Sequence, residues 1–414
     1  MGVSGMSDVA EKRKIVLGVT GSIAAYKSAE IARYFMSRGY QVRVVMSDSA
    51  AQFITPLTFE SITHEPVTTE FWNETKPGSI GHIELADWAD VVVVAPASAD
   101  FIAKLAHGFA DSPLLAIALA TKAPIVVAPA MNVNMLEHPQ TEANIQHLKE
   151  RGVRFVDSET GELACGWVGK GRLAHHREVF WHTRRALSAQ DLAGRKILIT
   201  TGPTREAIDP VRYISNRSSG KMGVAIATEA FRRGAEVTLI HGPLNGGVKV
   251  PAVVHKVPVV TAQEMHESVE NLAFPPEGGS PYDIVIMAAA VADYRPQVSE
   301  TKKMKKATAP SSLPLQANPD ILSGLGERKG DQKYPLLVGF AVETGEIEDL
   351  LVEVRRKQNA KNVDLMVGNL AHEAFDLDTN RVWLISRSGK EEEISTTYKS
   401  RIAVRILDAV ARMF

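Results

Sequence analysis

The residue of this sequence that most directly suggests chemistry is its single cysteine, Cys165. A lone thiol cannot form an intramolecular disulfide, and it cannot complete a zinc site by itself. For an isolated cysteine, an unreactive buried position is the ordinary alternative. The surrounding segment, 161–171, carries four glycines and no apolar period, which predicts a bent and partly exposed loop. Reactive thiols occur in such segments, so we predict a working thiol at this position.

Polar residues of the first half stand near predicted strand ends. His82 follows a Pro-Gly loop, and Asn132 closes the segment 129–132. Alone, such a histidine is more often a surface or capping residue, and such an asparagine a turn residue. The turn 18–24 has neither a Walker A pattern nor a complete Gly-x-Gly-x-x-Gly, but it begins a helix. A helix N-terminus of this kind can bind an anionic group.

The second half has its own set of candidate residues. Asn216 lies in a stretch of small residues before a helix, Asp293 follows a buried strand, and four lysines fall between 302 and 306. The structural alternatives are a polar surface loop and a solvated charge run. Residues 318–322 resemble a turn with a helix cap, and Lys357 and Lys361 form an i, i+4 pair.

Each half begins with the same β-α-β pattern, which must position these residues. Apolar strands at 14–21 and 196–203 run into glycine turns, amphipathic helices and second strands at 41–46 and 236–240. Further strands are predicted at 90–95, 125–128, 283–288, 336–340 and 364–367. This alternation predicts the α/β class, with two Rossmann-like doubly wound parallel-sheet domains. A short polar stretch at 187–194 divides them, so we predict domains 1–190 and 191–414.

The two β-α-β units differ by an insertion. From the lysine of the first strand to the arginine closing the helix is 24 positions in the first unit and 37 in the second. The extra 13 residues fall between strand and helix, within the segment 204–220. The carboxyl ends of strands line the ligand crevice in open α/β sheets, so this insertion is predicted to be a binding loop.

Composition limits the class of protein. The chain has 414 residues, a net charge of −1, 45% hydrophobic and 23% charged residues. These values are typical of a globular protein and argue against nucleic acid or a membrane as partners. One cysteine and an N-terminus without signal-peptide features predict a cytoplasmic location.

The first-half motifs together resemble those of the flavin-containing cysteine decarboxylases over residues 12–187. The matching segments are 21–27 (Gly-Ser-Ile-Ala-Ala-Tyr-Lys), 81–85 (Gly-His-Ile-Glu-Leu), 95–100 (Ala-Pro-Ala-Ser-Ala-Asp), 129–135 (Pro-Ala-Met-Asn-Val-Asn-Met) and 164–166 (Ala-Cys-Gly). Ser22 is a departure, because the family commonly has glycine there. A serine can still donate a hydrogen bond to phosphate.

This resemblance implies a set of roles. His82 would be the active-site base, Asn132 would hold the substrate carboxylate, Cys165 would lie on a flap over the substrate, and Met135 would line the pocket. FMN would bind at the strand ends, at Gly21, Ser22, Ile23, Ser47, Ser98, Ala130 and Met131.

The implied chemistry explains why such residues are needed. A carboxylate next to a saturated carbon cannot leave as CO2 without an acceptor for its electrons. Oxidation of the substrate CH2–SH to a thioaldehyde by the flavin provides that acceptor, and an enethiolate results. Return of the hydride then needs a proton donor. No acyl-transfer triad surrounds Cys165, so its thiol is interpreted as this donor on a closing flap.

The second-half motifs resemble those of the phosphopantothenate–cysteine ligases over residues 191–414. The specific matches are 214–223 (Ile-Ser-Asn-Arg-Ser-Ser-Gly-Lys-Met-Gly) and 290–294 (Ala-Val-Ala-Asp-Tyr). A departure is Gly368-Asn369-Leu370, where Ala-Asn-Asp is usual. In that family a carboxylate attacks CTP, which gives an acyl-cytidylate and pyrophosphate, and the amine of cysteine then displaces CMP.

The ligase resemblance also assigns residues. Asn216 matches the residue that contacts the acyl-nucleotide, and Lys303 matches the flap lysine of the second half-reaction, although neighbouring lysines could exchange roles. Mg2+ is expected with the triphosphate, and its ligands are unknown. The predicted nucleotide and substrate contacts are Ala288, Ala289, Asp293, Asn318, Pro319, Asp320, Ile321, Phe340, Lys357 and Lys361.

The fused order predicts a bifunctional enzyme of bacterial coenzyme A biosynthesis. It would join 4'-phosphopantothenate to cysteine with CTP, and then decarboxylate the product to 4'-phosphopantetheine. The family implies a homo-oligomer, with decarboxylase trimers and ligase dimers combined in a dodecamer. The main alternative is a two-domain nicotinamide-dependent oxidoreductase, but no acidic residue is convincingly placed for ribose recognition. An inactive scaffold would be expected to lack His82, Asn132 or Cys165, and all three are present.

Overall fold

A computed structural model describes residues 13–71, 81–164, 166–244, 247–276, 278, 280–305, 312–374 and 377–414. The chain divides into two compact units, Met1–Ser188 and Ala189–Phe414. In the described ranges, no helix is both long and apolar enough to cross a bilayer.

The first unit is built on a parallel sheet. Its strands stand in the order β2-β1-β3-β4-β5, and every neighbouring pair is parallel. The strands are β1 (Lys14–Val19), β2 (Gln41–Met46), β3 (Val91–Ala97), β4 (Ile125–Pro129) and β5 (Arg154–Phe155), and a separate antiparallel hairpin consists of β6 (Glu159–Glu162) and β7 (Val168–Arg172).

Helices cover both faces of this sheet. Ile15 and Leu17 of β1 belong to one buried cluster with Phe35, whereas Val16 between them belongs to a second cluster with Leu114. Two covered faces explain why β1 is continuously apolar. The helices are α1 (Lys27–Ser37), α2 (Asp48–Ala51), α3 (Pro56–Thr63), α4 (Gly81–Trp88), α5 (Ala99–Ala106), α6 (Pro113–Ala120), α7 (Val133–Leu136), α8 (Pro139–Glu150) and α9 (His176–Ala186), and a 3-10 turn spans Ile23–Tyr26.

The second unit also has a central sheet, in the order β12-β11-β8-β13-β16-β17-β18-β19. The strands are β8 (Lys196–Thr201), β9 (Glu206–Ala207), β10 (Tyr213–Ile214), β11 (Glu236–His241), β12 (His255–Pro258), β13 (Ile284–Met287), β14 (Tyr294–Pro296), β15 (Leu315–Ala317), β16 (Leu336–Glu343), β17 (Leu365–Leu370), β18 (Thr379–Ser386) and β19 (Glu391–Tyr398). Its helices are α10 (Lys221–Arg232), α11 (Ala262–Ala273), α12 (Ile321–Lys329), α13 (Ile347–Ala360), α14 (Ala371–Ala374) and α15 (Lys399–Ala411).

The α/β prediction with two doubly wound sheets is confirmed, with one addition. From β12 to β17 the neighbouring strands are parallel, but β18 and β19 are antiparallel to their neighbours. A turn at residues 387–390 joins them, and a connection this short permits only antiparallel pairing. Neither strand was among the predicted ones.

The predicted strands are present with small shifts at their ends. For example, the strand predicted at 336–340 continues to Glu343, and the one predicted at 364–367 spans Leu365–Leu370. Each short extension carries the chain further toward the carboxyl edge of its sheet.

Candidate functional site

The first candidate site lies where β1, β3 and β4 end. The Thr20 hydroxyl donates to the carbonyl of Pro96 over 2.9 Å and accepts from the Ser98 N–H at 2.8 Å. These bonds fix the turn after β1 against the end of β3. They build a rigid edge of the kind that binds ligands in open α/β sheets.

The turn after β1 is shaped for close approach. A Cβ on Gly21 would lie 2.5 Å from the Cβ of Ser49, so a side chain does not fit there. Ser22 caps the 3-10 turn by accepting from Ala24 N–H at 3.3 Å. Ile23 is exposed, at 57% of its surface. The turn thus presents the Ser22 hydroxyl and the Ile23 side chain next to the backbone of Gly21.

Two more serines follow the strands on either side of β1, which are β2 and β3. Ser47 accepts from the N–H of Ala50 at 3.2 Å, and Ser98 accepts from that of Phe101 at 3.2 Å. A capping hydroxyl uses a lone pair for the helix and keeps its own O–H to donate. Such donors suit the phosphate of a ligand.

The segment after β4 continues the same edge. Ala130 N–H donates to the carbonyl of Ala97 at 3.0 Å, and Met131 N–H donates to that of Gly171 at 3.1 Å. The Asn132 side chain caps α7 by accepting from Asn134 N–H at 2.9 Å. Met135 is 49% exposed on that helix.

The β6–β7 hairpin packs onto this segment. A Cβ on Gly171 would lie 2.3 Å from the carbonyl oxygen of Met131, and one on Gly169 would lie 3.0 Å from Val133. Cys165 itself lies outside the described residues, in the connection between the two strands. Its neighbours in that connection are joined by bonds from Leu163 N–H to Trp167 O (2.7 Å) and from Gly166 N–H to Leu163 O (2.9 Å). The base of the hairpin is therefore fixed beside Asn132.

His82 stands apart from the strand-end set, on the first turn of α4. Its ring lies edge-on to that of Phe71, with centroids 5.4 Å apart. The strand that follows, β3, runs parallel to β1. A helix leading into a parallel strand runs back along the sheet, so its first turn faces the carboxyl edge. The topology is compatible with a base at this edge.

The second candidate site is a cavity of about 800 Å³ in the second unit. The ends of β13 and β16 and the N-termini of α10 and α12 surround it. Among the predicted residues its wall contains Asn216, Ala288, Ala289, Asp293, Asn318, Pro319, Asp320, Ile321, Phe340 and Lys361. Lys303 and Lys357 are not part of the described wall.

Glycines bring α10 close to the sheet. Gly220 precedes the helix with a φ of 78°, in the left-handed region. A Cβ on Gly223 would lie 2.3 Å from the Thr201 hydroxyl, so only glycine allows this approach. The helix N-terminus therefore opens directly into the cavity, where its N–H groups favour an anion.

Two asparagine side chains fix the turn after β13. Asn216 Nδ2 donates to the carbonyl of Val291 at 2.8 Å, and Asn318 Nδ2 donates to that of Ala292 at 2.8 Å. Arg295 donates to Asn318 Oδ1 at 2.6 Å. Segments distant in sequence thus meet at one turn in the cavity wall.

Lys357 in α13 and Lys361 at its C-cap form ion pairs with different carboxylates. Lys361 pairs with Asp320 at 2.7 Å, and both line the cavity. Burial raises the pKa of Asp320, but the bond from Lys361, the Ser323 N–H and the nearby lysine charges together outweigh burial, and the pKa is lowered overall. Lys357 pairs with Glu343 at 2.6 Å and lies 3.6 Å from Glu353.

Residues that sequence reasoning missed also line this cavity. Asn369 at the end of β17 is 3% exposed, and its amide nitrogen has no hydrogen-bond partner among the residues that the structure describes. Asn380, Lys221 and Lys399 contribute to the same wall. A buried donor without a partner is costly, which suits a wall that meets a ligand. The position of Asn369 at a strand end was the available signal.

No group of three or more His, Cys, Asp or Glu side chains in the described ranges is placed to hold a metal ion.

The comparisons with known proteins match two family models to successive parts of the chain. Residues 4–187 match the family model "Flavoprotein", and residues 192–413 match "DNA/pantothenate metabolism flavoprotein C-terminal domain". Among solved structures, the C-terminal domain of a coenzyme A biosynthesis bifunctional protein CoaBC is 38% identical, covering 54% of this chain and 98% of that one, with a TM-score of 0.44.

Curated relatives span nearly the whole chain. Coenzyme A biosynthesis bifunctional protein CoaBC of Bacillus subtilis is 40% identical, covering 97% of both chains. The protein of this name from Haemophilus influenzae is 41% identical over 97% of this chain and 98% of its own. That from Vibrio cholerae is 40% identical over 96% of this chain and 98% of its own. The alternative of a nicotinamide oxidoreductase finds no support among them. The chain belongs to the family of bifunctional coenzyme A biosynthesis proteins, with a flavoprotein decarboxylase domain followed by a ligase domain.

Proposed function

We propose that the second domain condenses 4'-phosphopantothenate with cysteine at the expense of CTP. The observation that carries this proposal is the cavity that gathers ten of the predicted contact residues from segments far apart in sequence. Its volume of about 800 Å³ falls in the usual range for small-molecule sites.

The balance of the reaction has two steps. The substrate carboxylate attacks the α-phosphorus of CTP, the bond to pyrophosphate breaks, and an acyl-cytidylate forms. The amine of cysteine then attacks the acyl carbon, CMP leaves, and the amine loses a proton. Asn216 is proposed to contact the acyl-nucleotide from the wall of the cavity, and Lys303 to act in the second step.

Mg2+ is proposed to accompany the nucleotide. The described cavity wall contains two carboxylates, Asp293 and Asp320, of which Asp320 is already paired with Lys361. This leaves Asp293, which is exposed, as the carboxylate available to an ion. Mg2+ bound mainly by substrate phosphates and water needs only one or two protein carboxylates, so the site fits.

The first domain is proposed to bind FMN at the edge formed by Gly21, Ser22, Ser47 and Ser98. The serine hydroxyls can donate to the phosphate, and the backbone of Gly21 beside them carries no side chain. The exposed Ile23 fits an apolar ring. When bound, the flavin supplies reversible two-electron oxidation of the substrate carbon. Asn132 is proposed to orient the substrate carboxylate, His82 to act as base, and Cys165 to deliver a proton to carbon from the hairpin.

A direct assay tests both halves. Purified protein is incubated with 4'-phosphopantothenate, cysteine, Mg2+ and either CTP or ATP, and pyrophosphate and CO2 are followed. We expect both products with CTP, and an absorption spectrum of bound FMN. A colourless protein that does not take up FMN would contradict the first-domain proposal, and absence of pyrophosphate would contradict the second.

A further inference from the structure

The inserted loop, residues 204–220, contains a buried carboxylate that none of the roles above uses. The Asp209 side chain is 0% exposed. Its Oδ1 accepts from the N–H groups of Val211 (2.8 Å) and Arg212 (2.9 Å). Its Oδ2 accepts from Arg212 Nε (2.9 Å) and Nη2 (2.5 Å). A buried charge requires such saturation with donors.

One more donor comes from a distant part of the chain. Met304 N–H also donates to Asp209 Oδ2, over 3.2 Å. Arg212 Nη2 donates in turn to the carbonyl of Met304 at 3.1 Å. In addition, Glu300 N–H donates to the carbonyl of Ile208 at 2.9 Å. Three hydrogen bonds therefore hold residues 300–305, which we name the lysine segment, against the inserted loop.

The backbone of the lysine segment is fixed while its cationic side chains remain exposed. Lys302, Lys303 and Lys305 are all exposed, and Met304 between them is half-buried. A lysine side chain loses rotamer freedom when it binds. A fixed backbone limits the volume that its ammonium group searches, which favours correct placement.

Stabilisation of the inserted loop alone would not need this arrangement. The turn 209–212 is closed by the Oδ1 bonds and by Arg212, all within four residues. The bond to Met304 spans 95 positions and adds nothing to that turn. Arg212 and the backbone donors also hold the pKa of Asp209 far below its usual range, so the carboxylate stays charged near neutral pH.

We propose that Asp209 is a positioning residue of the ligase reaction, which places the lysine segment for the amide-forming step. This inference rests on the proposed function of the second domain. Asp209 acts through the lysine of this segment that serves in the amide-forming step, and it does not itself contact substrate.

The test separates the two half-reactions in the full-length protein. Pyrophosphate release reports the first, and conversion of accumulated acyl-cytidylate to amide reports the second. For Asp209→Ala and Asp209→Asn we expect amide formation to fall by about tenfold to a hundredfold, because a small displacement of a reacting group has effects of this size. Pyrophosphate release is expected to stay close to the wild-type rate.

Asp283→Ala is the matched control. Asp283 accepts from Arg195 Nη1 (2.8 Å) and Lys196 N–H (2.9 Å) just before β13, at the opposite end of the strands from the cavity. It is the same type of Asp–Arg–backbone cluster without a link to the lysine segment. This variant should lower stability without separating the half-reactions.

Double variants identify the lysine involved. Asp209→Ala is combined in turn with Lys302→Ala, Lys303→Ala and Lys305→Ala. With one of them, the Asp209 change should have little further effect on amide formation, because the lysine it positions is gone. Independent effects with all three would overturn the proposal.

Limited trypsin digestion gives a readout that does not depend on activity. Cleavage after the lysines of the lysine segment should be faster in the Asp209 variants than in Asp283→Ala and wild type. Unchanged cleavage and unchanged amide formation would overturn the proposal, as would equal losses in both half-reactions. If the wild-type protein forms no acyl-nucleotide, the proposed function fails, whereas the digestion still decides whether the tether exists.

Discussion

At the scale of single residues, both candidate sites depend on side chains that combine a structural bond with a remaining capacity for ligand. The serine caps of the first unit accept from helix N–H groups and keep their own O–H to donate. Asn216 holds the turn after β13 through its nitrogen. Substitutions at such positions are informative when they preserve size and change only one function.

Replacing Cys165 by serine should separate the two stages of the first-domain reaction. The hydroxyl is a far weaker acid than the thiol, so protonation at carbon should fail while CO2 loss continues. We expect CO2 release with accumulation of the unreduced enethiol product, measured by gas evolution and mass spectrometry. The ligase reaction of the same sample is the control. Formation of normal 4'-phosphopantetheine at the full rate would show that this cysteine is unreactive.

Replacing Asn216 by aspartate should stop the second-domain reaction after its first step. The substitution removes the donor to Val291 and places a negative charge in the cavity wall. We expect pyrophosphate and acyl-cytidylate to form, with amide formation slower by about a hundredfold. Decarboxylation of supplied 4'-phosphopantothenoylcysteine should be unchanged. Rapid amide formation by this variant would contradict the proposed role.

At the scale of elements, the hairpin and helix α9 are the parts of the first unit whose behaviour can be predicted. The hairpin is fixed at its base by contacts that tolerate no side chain at Gly171. Helix α9 packs on the sheet and carries His182, which is largely shielded from solvent.

Replacing Gly171 by alanine should displace the hairpin. Its φ is 148°, and a Cβ would lie 2.3 Å from the Met131 carbonyl oxygen, which is backbone and cannot move cheaply. We expect decarboxylase activity to fall while pyrophosphate release by the ligase continues. Gly39→Ala is the control. Gly39 also has a positive φ, of 85°, but a Cβ added there would meet no atom within 4 Å. Equal effects of the two substitutions would show that only backbone strain matters.

The stability of the first unit should depend on pH through His182. Burial is the main cause that lowers its pKa to about 4, and the nearby Arg185 adds to the effect. An unfolded histidine binds a proton near pH 6.5, so the unfolded state binds more protons between about pH 6.5 and 4. Stability conferred by the neutral ring is therefore present above pH 6.5 and is lost as the pH falls toward 4. At pH 5 we expect a loss of about 2 kcal/mol.

Chemical unfolding at pH 7 and pH 5 measures this loss. The variant His182→Gln has no titrating group at this position, so its unfolding free energy should change less over the same interval. An equal decrease in both proteins would assign the pH dependence to other groups.

At the scale of the whole molecule, the two compact units correspond to two reactions in sequence, because the product of the second domain is the substrate of the first. We predict that residues 1–190 and 191–414, expressed separately, each retain their own reaction. The separate domains are assayed for CO2 and pyrophosphate, and light scattering gives the mass of each. The proposed assembly predicts decarboxylase trimers, ligase dimers and a dodecameric full-length protein. Monomers would contradict the assembly but not the chemistry.

The sequence by itself determined the α/β alternation and the parallel part of both sheets. Short apolar runs such as 15–19 and 284–287 favour strands covered on both faces, and polar residues just beyond parallel strands lie at the carboxyl edge. The local pattern put Asp293 just past a buried strand, and the motif resemblance to the ligases grouped it with Asn216 and Phe340. The short polar stretch at 187–194 gave the predicted division near residue 190.

Only the tertiary structure decided features that depend on pairs of residues far apart in sequence. Three such features have no signal in the local sequence pattern: the antiparallel pairing of β18 and β19, the burial of the Asn369 amide, and the bond between Asp209 and Met304. The physical reason is that a buried polar group can pair with any group that folding brings within hydrogen-bond distance, whatever the position of that group in the sequence. A carboxylate in a loop has the same local sequence whether it contacts water or an amide 95 positions away.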